Sequence, residues 1–563
     1  MSMTRFINNR TLLVIILFLA AFLRLWKLGT IPPHLTPDEA ALGYNAYSIL
    51  KTGKDFWGQS FPIIFKSFGD YTPGLYVYLA VPFVAVLGLT EFAVRVPSAI
   101  LGVITVYFVF LLAKEVFERA KYNNFEKIAL FSALLSAVNP WLIQFSRGAW
   151  VPNLALALTL AGIYYFFKSI EKGKFIILSA IFFALTTISY QGAKLSTAIV
   201  VFLLGILFID HLKKIDKKLL VGAIAAGVII CSPIFVSFYT GQAGRLSVVS
   251  AFSYPRSFSD MEKIFSQGNE NPGDISAIAF HTEPLNFVRV VLGKWFNHFS
   301  GRFLFFEGDW DNPRHNPPNM GMLLLADAVL ILAGLIQFIR KGTNKYFLFV
   351  LLWLVIAPLP AILSRDRVHA VRSLHMVIPL IMISSLALYN LFTKASRKLI
   401  GIVFIFVFAA GYLLNYVYYL DSYYIHLSKH GAKYWEYGYK QVVEYINENG
   451  LSSRRIVFQQ AYAQPFIYFL FYGEDGYSQK WDPTLFQQSV VYEASRVGDV
   501  GLVSKMGNID FQFLSWPYKY PAGTVVVADE VVAPRNLVTN DYTTLREVLR
   551  PDGSMVFLIM EAK

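Results

Sequence analysis

Thr36-Pro37-Asp38-Glu39-Ala-Ala-Leu-Gly-Tyr44 sets two adjacent carboxylates directly after a proline. Pro37 suits the first turn of a helix, where the helix dipole favours acidic side chains. Capping that helix is one reading of the pair. The other is chemistry, with Asp38 as a general base that takes the proton from an attacking hydroxyl. One carboxylate facing a cation-lined pocket suits displacement at a sugar carbon that bears a phosphate leaving group. Such cations occur in Ser364-Arg365-Asp366-Arg367-Val368-His369-Ala370-Val371-Arg372-Ser373. Three guanidinium groups that converge would clamp a phosphate through charge-assisted hydrogen bonds. Snorkelling to lipid headgroups is the alternative.

Further ionisable residues stand outside the cytoplasmic loops, at the outer ends of the apolar runs: Asp70, Arg95, Arg147, Lys194, and the polar stretch Asp309-Trp-Asp-Asn-Pro-Arg314-His315. Each can be an ordinary solvated loop charge. Taken together they suggest one substrate-binding site, with Glu39 and Tyr44 beside the base and Asp309, Arg314, His315, Arg365, Arg367, His369 and Arg372 opposite. A divalent ion is admissible but not required, its candidate ligands being Asp38, Asp70 and His315. No His-Glu-x-x-His spacing or comparable metal motif occurs. The single cysteine, Cys231, excludes an internal disulfide and a Cys-based metal centre. No glycine-rich phosphate loop is present to hold a nucleotide sugar.

The surrounding chain says where these residues must sit. Of 563 residues only 15% are charged, against roughly 25% in soluble domains, while 55% are hydrophobic and 16% aromatic. Mean hydropathy is +0.47. Apolar runs near 11–29, 71–88, 92–117, 128–146, 150–168, 175–190, 195–210, 219–239, 320–340, 346–363, 373–392 and 399–420 are close to the length needed to cross ~30 Å of hydrocarbon. This is the pattern of a multi-pass protein of the cell membrane. The net charge of +13 then reflects topology signals and membrane lipids, and no nucleic acid partner is expected.

One alternating set of loops after residue 92 carries seventeen Lys and Arg: Lys114, Arg119, Lys121, Lys127, Lys168, Lys172, Lys174, Lys213, Lys214, Lys217, Lys218, Arg340, Lys341, Lys345, Lys394, Arg397 and Lys398. The opposite loops carry five: Arg147, Lys194, Arg365, Arg367 and Arg372. The positive-inside rule makes the first set cytoplasmic. With Arg5 and Arg10 holding the N-terminus inside, run 71–88, which contains Pro73 and Pro82, cannot cross. The expectation is an uncleaved first helix, eleven spanning helices and one juxtamembrane segment. Large outer loops follow at 30–91 and 240–319, and domain 1–420 leads into an extracytoplasmic tail, 421–563. The tail reads as a soluble α/β domain with strands at Ile456-Val-Phe-Gln-Gln, Gly523-Thr-Val-Val-Val-Ala and Met555-Val-Phe-Leu-Ile, and helices at Tyr439–Asn447 and Thr543–Leu549.

From about residue 8 to 420 the chain resembles the polyprenyl-phosphate-sugar-dependent transferases of the GT-C class. More specifically it is similar to glycosyltransferase family 39-type bacterial proteins, related to protein O-mannosyltransferases and the lipid A aminoarabinose transferase. The resemblance rests on Arg24-Leu-Trp, Pro37-Asp38-Glu39-Ala, Tyr71-Thr-Pro-Gly-Leu-Tyr-Val-Tyr-Leu79, Ala93-Val-Arg95-Val-Pro-Ser-Ala99, Asp309–Pro317 and His369-Ala-Val-Arg372-Ser. It implies a GT-C-like fold with juxtamembrane helices, and a catalytic or acceptor-binding role for Asp38 and Glu39. It also implies a polyprenyl-phosphate sugar as donor and a lipid, glycan or protein as acceptor. Relatives often carry Lys or His just before the proline of the second motif, where phosphate or metal is held. Here Tyr71-Thr72-Pro73 stands instead, which shifts the expected phosphate contacts to Arg147, Lys194 and segment 365–372. Two rivals remain: a ligase or polymerase using a lipid diphosphate carrier, and a lipid or polysaccharide transporter. A transporter should place ionisable residues near the bilayer midplane, and the apolar runs hold few.

Overall fold

Backbone in hydrocarbon must satisfy its own hydrogen bonds, and helices follow the apolar runs. The computed structural model describes residues 8–240, 256–340, 344–394, 399–461, 463–473, 481–493, 502–516, 519–533 and 541–563. Its first half contains helices α1 (Asn9–Leu25), α2 (Pro37–Thr52), α3 (Leu75–Leu87), α4 (Glu91–Arg119), α5 (Phe125–Val138), α6 (Pro140–Ser146), α7 (Val151–Ser169), α8 (Phe175–Thr187) and α9 (Ala193–Leu207). Further apolar helices are Lys217–Tyr239, Asp327–Arg340, Lys345–Ile356, Val377–Lys394 and Leu399–Asp421.

Six helical stretches among the described residues are long and apolar enough to cross a membrane: 91–119, 151–169, 217–237, 345–362, 374–393 and 399–430. A seventh results if α5 and α6, bent by 57°, form one span. The bend falls where Asn139 ends α5 and caps α6, its Oδ1 accepting the Leu142 N–H, and Pro140 opens α6. By length and composition the count is therefore six or seven, against the eleven expected. Runs such as 175–190 and 195–210 form helices of only 13 and 15 residues. Arg5, Lys341, Arg397 and Lys398 of the charge count lie outside the described residues. Helix 399–421 leaves Ile400 83% and Phe406 74% exposed, which in a multi-pass membrane protein is a lipid-facing surface. Helix α3, at 13 residues, is about 20 Å long and short of the hydrocarbon thickness.

The tail is built around a seven-stranded sheet. Its strands are β3 (Ile456–Gln459), β4 (Val490–Glu493), β5 (Leu502–Met506), β6 (Ile509–Gln512), β7 (Val525–Asp529), β8 (Tyr542–Leu549) and β9 (Met555–Ala562), after a small hairpin of β1 (Ile64–Ser67) and β2 (Asp70–Pro73) in segment 30–91. The order is β4-β5-β6-β3-β7-β9-β8, with β3 parallel to β6 and β7 and the other pairs antiparallel. The continuous apolar run of β7 is buried on both faces, as a central strand requires. The expected strands at 456, 523 and 555 and the helix at 439 are present. The helix expected at Thr543–Leu549 is instead the edge strand β8, which pairs with β9 along its length. Leu-Arg-Glu-Val-Leu has helical propensity, but cross-strand pairing overrides it.

The tail does not close on itself. One face of the sheet, with Phe458, Phe511, Val525, Val527 and Ile559, shares a single hydrophobic cluster with Leu35, Tyr44, Phe56, Tyr76 and Val94 of segment 30–91 and α2–α4. The other face, with Val457, Val526, Leu558 and Met560, has its own smaller cluster. Helix Phe466–Tyr472, buried throughout, is the wedge between sheet and α2. Gly43 permits that contact: a Cβ there would stand 2.5 Å from Val94 and 2.7 Å from Phe471.

Candidate active site

Helix α2 is fixed at both ends by its sequence. Thr36 Oγ1 accepts the Glu39 N–H, Glu39 Oε2 accepts the Thr36 N–H, and Gly53 closes the far end in the left-handed conformation. Glu39 is thereby drawn inward. Its carboxylate also accepts Arg95 Nε at 2.9 Å, Arg95 Nη2 at 3.2 Å and the Ala149 N–H at 2.9 Å. Arg95, fully buried, spends its remaining donors on the carbonyls of Leu28, Pro32 and His34. This pair leaves nothing for a substrate, and it locks α2 to α4 and to loop 147–150. Asp38, the neighbouring residue, is exposed and has no hydrogen-bond or ionic partner among the described residues. It is an available carboxylate on a rigid mount.

Around this helix end the chain builds an aromatic wall. Trp150 packs edge-on against Trp435 of the tail (6.0 Å) and against the His315 ring (5.4 Å), and Arg95 lies over Trp435 at 5.9 Å. The turn Pro313–His315 packs on the turn Ala432–Trp435. Arg314 forms no ion pair among the described residues, and Gln144 donates to its carbonyl. The next tail residue, Glu436, is half-buried; burial pushes its carboxyl up, with Arg314 and Arg550 pulling the other way.

Segment 365–372 only partly behaves as a phosphate clamp. Arg367 donates to Asp311 at 2.5 Å and is largely exposed, and Arg372 donates to Asp366 at 3.2 Å. Burial raises the Asp311 carboxyl, but hydrogen bonds and charge from Arg367 outweigh that and hold it below the usual carboxylate range. Arg365 is exposed, its carbonyl accepts Lys294 Nζ at 3.1 Å, and its guanidinium has no partner among the described residues. His369 turns inward to meet His315, ring centroids 5.2 Å apart. His315 Nδ1 lies 2.7 Å from Asp309 Oδ2, which also accepts the Ala370 N–H at 2.7 Å. Burial holds both imidazoles well toward the neutral form; for His369 the Arg372 charge adds to it, and for His315 it prevails over Asp309.

Other sequence candidates are committed elsewhere. Tyr44 donates to the Trp481 carbonyl at 2.7 Å inside the shared core. Arg147, fully buried, donates to the carbonyls of Leu23 and Ile31 beneath the rings of Tyr423 and Tyr424. Both fix the scaffold. Asp70 and Lys194 form a separate polar group: Lys194 holds Gln191, which donates to the Tyr71 carbonyl, and Asp70 supports the lysine charge. Among the described residues one group of three ligand-type side chains gathers, Asp309, His315 and His369, with ligand atoms within 4.8 Å of one another. Asp38 and Asp70 are not in it, so the ligand set expected from the sequence is not assembled. Trp150, Trp435, Glu436 and His34 were not singled out in the sequence. The tail was read as a separate unit, which hid the last three contacts.

These helices, loops and sheet have counterparts among solved structures. Residues 72–236 match the dolichyl-phosphate-mannose-protein mannosyltransferase family. Among solved structures the chain is similar to ArnT from Cupriavidus metallidurans in the apo state, at 12% identity and a TM-score of 0.51 over 97% of each chain. It is also similar to the archaeal oligosaccharyltransferase AglB from Archaeoglobus fulgidus in complex with an inhibitory peptide and a dolichol-phosphate. That likeness has 14% identity and a TM-score of 0.50, over 82% of this chain and 63% of the other. The chain thus spans less than two thirds of the oligosaccharyltransferase. No curated protein matches it by sequence. What the chain shares with these two structures is the fold.

Proposed function

We propose that this protein transfers a sugar from a polyprenyl monophosphate carrier to a hydroxyl of a lipid, glycan or protein at the outer face of the cell membrane. The observation that carries the reading is Asp38: an exposed carboxylate, unpaired among the described residues, beside a fully saturated Glu39–Arg95 pair, on a helix whose start is fixed by a capping box. Asp38 removes the proton from the acceptor hydroxyl, whose oxygen attacks the anomeric carbon. The bond from that carbon to the phosphate oxygen breaks, and the phosphate leaves with the electron pair and the carrier lipid. Arg314 and Arg365, both without carboxylate partners among the described residues, stabilise the charge on the departing phosphate. One displacement inverts the anomeric centre.

This reading needs the site outside the cytoplasm, with eleven crossings, the N-terminus inside and residues 421–563 outside. The seventeen-to-five distribution of basic residues supports it. A reporter active only in the cytoplasm, fused after Lys563, is expected to be silent. The decisive experiment is reconstitution in membranes with a panel of polyprenyl-phosphate sugars, with donor consumption followed by mass spectrometry. One donor should be consumed by wild type and spared by Asp38→Asn. Consumption of none of the panel, or equal consumption by both, would overturn the proposal.

A further inference from the structure

We propose that Asp309, His315 and His369 bind one divalent transition-metal ion, and that zinc is the ion the ligand set selects. Their ligand atoms lie within 4.8 Å of one another. Ligands of one tetrahedral ion at metal bonds of about 2.1 Å stand roughly 3.4 Å apart, so closure requires movement of only about 1 Å.

The three side chains are built for this rather than merely near each other. Asp309 has no exposed surface, and no Lys or Arg pairs with it among the described residues. It is met by the N–H groups of Ala370 and Asn312 and by His315. A carboxylate buried without a cation is costly, and a metal ion supplies the missing charge. His315 is clamped between Phe145, 5.5 Å away, and Trp150, at 5.4 Å. Its Nδ1 faces Asp309, and Nε2 makes no hydrogen bond among the described residues. In His369, Nδ1 receives only a long 3.4 Å contact from the Arg372 N–H, and Nε2 stands 3.7 Å from Asp366. A third histidine provides the contrast. His298, equally buried, uses Nδ1 on the Lys294 carbonyl at 2.8 Å and Nε2 on the His369 N–H at 3.1 Å. One histidine is therefore part of the scaffold; at His315 the ion would take the place of the proton that Nδ1 shares with Asp309 Oδ2, and neither nitrogen of His369 has a short partner among the described residues.

Two imidazole nitrogens and one carboxylate oxygen suit zinc or a neighbouring transition ion, whereas magnesium and calcium prefer oxygen throughout. The nearest cation on the same segment, Arg372, is already held by Asp366 at 3.2 Å. The ion would tie loop 309–318 to segment 366–372, and three protein ligands leave a coordination position for water or a substrate oxygen.

The test uses the full chain in detergent, stripped with chelator, loaded separately with zinc or magnesium chloride, dialysed and measured by elemental mass spectrometry. About one zinc per chain is expected, with no retained magnesium. His315→Gln and His369→Gln should each lower zinc retention at least about tenfold, while His298→Gln retains it. Cobalt loading of wild type should give the visible ligand-field absorption of a low-coordinate nitrogen–oxygen site, which needs no variant to fold. Wild type that retains less than about a tenth of an equivalent of zinc, magnesium retained as well as zinc, or unchanged zinc in the His315→Gln/His369→Gln double variant would each overturn the proposal. None of these readouts depends on sugar transfer, so their outcome is separate from that of the donor panel.

Discussion

Amide substitutions at residues 38 and 39 separate positioning from chemistry within one dipeptide. The Glu39 carboxylate accepts four hydrogen bonds, two from Arg95 and one each from the N–H groups of Thr36 and Ala149. In Glu39→Gln the amide nitrogen takes one oxygen position, and either position turns it against two donors. At least two of the four bonds are lost, and the Arg95 guanidinium is left fully buried without its counter-charge. Removing one partner of a buried ion pair costs about 3–5 kcal/mol. Three backbone carbonyls still surround Arg95, which places the cost near 3 kcal/mol. The thermal midpoint in detergent should fall by at least about 5 °C. Asp38→Asn touches no partner, so stability should change by less than about 0.5 kcal/mol, while turnover of the responsive donor should fall ~10²–10⁴-fold. The assays are a melting curve and donor consumption in the same reconstituted membranes. A Glu39→Gln protein that melts with wild type would refute the structural role of the pair. A stable Asp38→Asn protein with wild-type turnover would remove Asp38 as the base.

Burial pushes His34 down to about 4 from an ordinary 6.5; around it lie Glu91, Arg95, Lys440, Tyr437, Tyr468 and Tyr472. Because the unfolded chain binds the proton first, stability is whole above pH 6.5 and falls as pH drops toward 4, by up to about 3 kcal/mol; in His34→Gln a pH series of melting curves should be flatter over that window. Arg314→Ala should weaken donor use at least about tenfold, whereas Arg367→Ala, whose exposed guanidinium already holds Asp311, should stay within about twofold; equal effects in donor kinetics would restore the three-arginine clamp. Gly43→Ala should cost about 1–3 kcal/mol by overpacking and speed proteolysis of residues 439–563, and an unchanged cleavage rate would show that α2 and the tail are not tightly joined.

What the sequence disclosed and what it hid follow from the range of the interactions. Hydrophobic runs are local, and so are the helix start at Pro37 and the strands at 456, 523 and 555; these were legible, whereas β4, β5, β6 and β8 were not. The partition of the two carboxylates was not, because Glu39 is claimed by Arg95, 56 residues away, and by Ala149, 110 residues away. Arg147 looked like a phosphate ligand for the same reason: nothing local indicates that carbonyls of residues 23 and 31 each take a donor from its Nη atoms. Helix Thr543–Leu549 was misread because its pairing with β9 is tertiary. The His315–His369 encounter joins residues 54 apart in loops that carry no spacing motif, so no pattern search could have found it.

The core shared by segment 30–91 and the tail also sets a schedule for biosynthesis. Tyr44 donates its hydroxyl to Trp481, 437 residues later. At a synthesis rate of roughly 5–20 residues per second, some 20 to 90 s pass between the emergence of these two partners. Throughout that interval Tyr44 and the other loop residues of the shared cluster have no sheet to cover them. The nascent loop must therefore wait, folded incompletely, on the membrane surface or in the hands of a chaperone. A ribosome that stops near residue 420 would leave a protein whose membrane helices are complete and whose candidate catalytic helix lacks the surface it packs on.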